Sequence, residues 1–70
     1  MINPAMYTKW TFNSKGRQVT YQVIGIWGIG AREHYRVVSY DMIPVDGGKI
    51  VNVEAEKMHS WIRENKAQWA

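Results

Sequence analysis

Cysteine is absent from this 70-residue chain. That excludes a disulfide framework and a thiolate metal site, and it fits a reducing, cytoplasmic setting. No apolar run approaches the roughly 20 residues needed to cross a bilayer. The opening MINPAMYTKW lacks a basic region followed by an apolar one, so no signal peptide and no membrane role are expected. Histidine is scarce, at His34 and His59 only. A zinc site needs three or four ligands, and the carboxylates that could complete one (Glu33, Asp41, Asp46, Glu56) fall at no ligand spacing. Charge of one sign does not dominate either. Nine cationic and six anionic side chains leave a net +3, which permits an acidic partner without requiring one.

The patterns of catalysis are missing as well. Ser14, Ser39 and Ser60 sit in no GxSxG elbow. The run Gly25-Ile-Trp-Gly28-Ile-Gly30 has GxxGxG spacing between strand-like segments, whereas a dinucleotide loop needs GxGxxG opening a helix. No nucleophile, base and orienter can be read together. The chain therefore reads as non-enzymatic, with no catalytic, metal or cofactor residue and no small-molecule substrate.

Apolar mass is what the chain does have. Its apolar fraction is 46%, with four Trp and four Tyr, and each aromatic can bury about 150–250 Å². One small domain over residues 1–70 is expected, and self-association is one route to further burial in a chain this short.

The pattern changes at Asn52–Val53. Before it, strand-like runs alternate with turns. Tyr7–Asn13 alternates, with Trp10 and Phe12 directed inward and Tyr7 and Lys9 outward. Asn13–Gly16 is a turn in which Gly16 takes a left-handed conformation. In Arg17–Trp27 the apolar parity switches from Val19, Tyr21 and Val23 to Ile24 and Ile26, so a bulge or bend at Gly25 is expected. Gly28-Ile29-Gly30 reads as a flexible connection. Tyr35–Ile43 is a third strand, with Val38, Tyr40 and Met42 on one face and Val37 on the other, and Pro44 belongs at an edge. Asp46-Gly47 signals a type I′ hairpin into a short fourth strand, Lys49–Val53. After the change comes one helix, about 53–66, capped by Asn52. Glu54 and Glu56 lie in its first turn, Arg63 and Lys66 near its end, and Ala55, Met58, Ile62 and Trp69 on its inner stripe. The expected class is α+β: a strongly bent antiparallel β-meander of about four strands over about 7–53, packed against one C-terminal helix. An SH3-like partial barrel is a variant of it.

Two surfaces could bind a partner. Cations and aromatics are interleaved before the helix, and Tyr7, Lys9, Arg17, Arg32, Tyr35 and Arg36 are the candidates for contacting nucleic acid by phosphate pairing and base stacking. The same residues also suit an ordinary solvated sheet. On the helix, Trp61 and Trp69 are candidates for a protein partner or a homodimer interface, since Trp is enriched at interaction hot spots. Size and composition are in keeping with small bacterial or phage accessory proteins. The expected role is a binding module, for nucleic acid or for protein.

Overall fold

The computed structural model describes residues 4–70, with Ser14 and Arg32 described as backbone alone. Its elements are β1 (Lys9–Ser14), β2 (Arg17–Ile29), β3 (Arg36–Pro44), β4 (Val51–Glu54), α1 (Ala55–Arg63) and β5 (Ala67–Trp69). The strands form one antiparallel sheet in the order β4-β3-β2-β1-β5. The first four make the expected meander. The fifth was not expected, and it pairs with the outer side of β1. The segment from β4 through α1 to β5 therefore crosses the whole sheet and lays the helix over one face. β4 and β5 end up at opposite edges, so the sheet is open and does not close into an SH3-like barrel.

Local chemistry sets each turn. Lys15 and Gly16 both have positive φ (51° and 78°) between the paired residues Ser14 and Arg17, which is a type I′ hairpin. In β2, the pair Val23↔Met42 is followed by Gly25↔Asp41, so Ile24 is the extra residue of a bulge. The bulge carries Val23 and Ile26 to the same side. Gly25 lies beside it for a reason other than φ, which is not positive there. The Asp41 side chain lies over it, and a Cβ at residue 25 would stand 3.0 Å from Asp41 Oδ2.

A second register shift corrects two expectations. Trp27↔Ser39 is followed by Gly28↔Val37, which leaves Val38 unpaired. Val37 therefore packs on the core, while Val38 is 40% exposed, the reverse of simple alternation. Gly28 and Ile29 belong to β2, and the connection begins at Gly30 (φ 95°) and runs through one 3-10 turn, Arg32–His34. The Asp46-Gly47 signal also resolves differently. Residues 45–50 connect β3 to β4, with Gly47 N–H donating to Pro44 O at 3.1 Å in a turn that is not type I′. Pro44 does sit at a local edge. Val45 N–H points to β2, so the nitrogen of residue 44 faces away, beyond the last β4 pair at Met42.

The helix is shorter than its periodicity suggested. Glu54 holds the N-cap position without a side-chain bond. Asn52, the expected cap, lies in β4. At the other end Asn65 adopts φ 60°, Asn65 N–H donates to Ile62 O and Lys66 N–H to Trp61 O. This is a Schellman stop with asparagine in the left-handed position. It ends α1 at Arg63 and releases Ala67–Trp69 as β5, which moves Trp69 off the helix. The core lies between α1 and the sheet, where Trp10, Val23, Tyr40, Met42, Ala55, Met58 and Ala67 are buried. Among the described residues no helix is long and apolar enough to cross a membrane.

Candidate functional site: a groove beneath Trp61

Nine helical residues cover about 13 Å, while five strands at about 4.8 Å spacing place their outer members about 19 Å apart. The helix therefore cannot roof the whole face. The uncovered part is a groove of about 530 Å³. Its floor is Phe12 on β1, Tyr21 on β2, Met42 on β3, and Val51 and Val53 on β4, and Trp61 of α1 forms a wall. These residues lie there because strand alternation in the β1–β2, β2–β3 and β3–β4 ladders sends them to the helix side.

Polarity is graded along the groove. Asn13, Lys15 and Lys66 line it at the β1 end, and only valines line it at the β4 end. Arg17 and Val19 extend the cationic end into an adjoining hollow that shares Phe12, Lys15 and Tyr21. No carboxylate lines either space. Glu64 pairs with Lys66 at 3.2 Å and accepts from Ser60 Oγ at 2.7 Å, and at the other end Glu54 and Lys57 line a small hollow that shares Val53 and Trp61 with the groove. The Ser60 hydroxyl, and then Lys66, hold the Glu64 carboxyl below its usual range.

The aromatic rings of the groove meet at right angles. Phe12 packs against Tyr21 at 5.4 Å and 89°, and against Trp61 at 5.5 Å and 86°. Lys57 Nζ stands 5.4 Å from the Trp61 ring centroid. The rings therefore brace one another and do not lie side by side as a flat platform.

The residues singled out for nucleic acid do not converge. Lys9 pairs with Gln22 on the open face, away from the helix. Tyr7 is 67% exposed, in a left-handed turn before β1. Tyr35 lies over Gly28 on the helix side, at the far end of the sheet. Arg36 opens β3 opposite Ile29, and the side chain of Arg32 lies outside the described residues. Arg17 alone of this set reaches the groove region. Of the two tryptophans, Trp61 walls the groove. Trp69 stacks on Trp10 at 5.9 Å from β5, so the two do not share a helix face.

Sequence reading placed Phe12 in the core but did not assemble it with Tyr21, Met42, Val51, Val53, Lys15 and Lys66. Lys15 precedes Gly16 and Lys66 follows Asn65, so each cation flanks a residue that stops an element. Nothing in one dimension joins the two.

Two other polar arrangements are well defined. On the open face, the exposed Trp27 donates through Nε1 to Asp41 Oδ2 at 2.6 Å, and Asn52 donates to Asp41 Oδ1 at 2.8 Å and to Ser39 at 3.1 Å. The indole bond, then the amide bond, lower the Asp41 pKa. In the core, the Tyr40 hydroxyl and His59 Nε2 lie 2.8 Å apart, and burial first, then Tyr35, raises the Tyr40 pKa. Among the described residues no three His, Cys, Asp or Glu side chains gather into a cation site. No protein-family model matches the chain, and no curated protein or solved structure matches it.

Proposed function

We propose that the protein is a small non-enzymatic binding module that docks a protein partner in the groove beneath Trp61. The observation that carries this reading is an apolar trough open to solvent, braced on one side by a half-buried tryptophan. Protein contacts concentrate their energy where aromatic anchors and apolar side chains fill such hollows. The right-angled rings favour the same partner class. Insertion of aliphatic side chains needs a shaped hollow, whereas bases need ring faces laid open for stacking. The scatter of Tyr7, Lys9, Tyr35 and Arg36 over both faces supports the protein reading over the nucleic-acid one.

An amide-resolved NMR titration tests the proposal with two probes, an uncharged peptide of alternating leucine and serine and a mixed-sequence single-stranded oligonucleotide. The peptide should shift the amides of Phe12, Tyr21, Val53 and Trp61. Val51→Glu, which places a charge at the half-exposed mouth of the groove, should abolish those shifts while the rest of the spectrum stays native. A response to the oligonucleotide alone, centred on Lys9 and Arg36, would transfer the function to the open face.

A further inference from the structure

We infer that the partner segment is an acidic–apolar peptide with a fixed direction in the groove. Its carboxylates lie at the β1 end, against Lys15, Lys66 and Arg17, and its apolar side chains point toward Val51 and Val53 at the β4 end. The inference rests on the docking reading above and adds the chemistry and polarity of the occupant.

Charge complementarity carries it. Lys15 and Lys66 come from two separate connections, the β1–β2 turn and the segment after α1, yet they line the same end of one groove. Arg17 stands beside them. The lining offers these cations no carboxylate. The one acid engaged there, Glu64, meets Lys66 from outside the lining, with the pair about half exposed. Three cations against one acid leave this end positive, while the opposite end is lined by valines, with one acid and one cation, Glu54 and Lys57, in the hollow beyond Val53 and Trp61. From β1 to β4 is three interstrand spacings, about 14 Å, the reach of about four extended residues. A short segment therefore spans the polarity change, with acids at one terminus and apolar residues at the other.

Glu64 gives the site an internal competitor. Its carboxylate occupies Lys66 in the free protein, and an incoming carboxylate must share or displace it. Removing that negative charge while keeping an acceptor for Ser60, as Glu64→Gln does, should tighten binding of an acidic peptide.

The test uses three peptides with one leucine–serine core: uncharged ends, a glutamate-rich end, and a lysine-rich end. Affinity is read by NMR titration at low and moderate salt. The glutamate peptide should bind about tenfold tighter than the uncharged one at low salt, and the advantage should shrink as salt is added. Lys15→Glu should erase the advantage of the glutamate peptide over the uncharged one, and Glu64→Gln should increase it. A spin label on the glutamate end should broaden amides near Lys15, and one on the leucine end amides near Val53. Equal binding of all three peptides in the groove would overturn the inference and leave the docking reading standing. Silence from every peptide would remove both. Saturable binding of dodecanoate at the groove with no peptide binding would replace the peptide by an amphiphile and overturn the inference.

Discussion

Gly25 shows how one missing side chain organises the open face. Asp41 reaches across it to accept from Trp27 and Asn52, and a β-branched residue there would have to displace the carboxylate. Gly25→Val is expected to cost about 1–3 kcal/mol, read by chemical denaturation, and to broaden the Trp27 indole signal in NMR. The bulge was legible in the sequence, because the apolar parity of β2 reverses within one run. The purpose of the glycine was not, because it depends on a residue 16 positions away on another strand. Asp41 also carries a pH prediction. Its pKa is lower folded than unfolded, so its contribution to stability is complete above the ordinary carboxylate range and is lost as pH falls through the folded value. Asp41→Asn should lower stability at neutral pH and flatten part of the acid-side decline, measured by urea denaturation across that range.

At the scale of elements, the helix is defined by its stop more than by its start. Asn65 in the left-handed region closes it. Asn65→Gly should leave the melting temperature unchanged or raise it, while Asn65→Val should cost about 1–2 kcal/mol because a branched residue resists that conformation. Met58, fully buried, is the helix's main anchor, and Met58→Ala should cost about 2–5 kcal/mol. Ile62→Ala should fall toward the lower end, since Ile62 is only partly covered. The inner stripe of Ala55, Met58 and Ile62 was readable from its spacing. Trp69 was not separable from it, since position 69 continues the helical period. Only the asparagine four residues earlier marks the break, and a single poor helix former is a weak stop signal because tertiary context routinely overrides propensity. The same gap concealed the groove. Its floor is an alternation pattern that any half-buried strand shows, and it becomes a site only because a nine-residue helix leaves part of that floor uncovered.

At the scale of the whole molecule, the meander and the single helix follow from hydrophobic periodicity, and the open sheet follows from β5. That three-residue strand sets the sequence's two extremes side by side, pairing Trp10 with Trp69. The pairing has a kinetic consequence. The β1–β2, β2–β3 and β3–β4 ladders join neighbours in the chain and form early, whereas β5 can dock only after a loop of more than 50 residues has closed. Docking of β5 therefore belongs after the rate-limiting step. Trp69→Ala, which removes the stack on Trp10, should accelerate unfolding in stopped-flow experiments and leave the refolding rate nearly unchanged. Until that last strand arrives, β1 is a bare edge with Trp10 uncovered beside it, and any intermediate that lingers there offers a template for strand exchange between molecules.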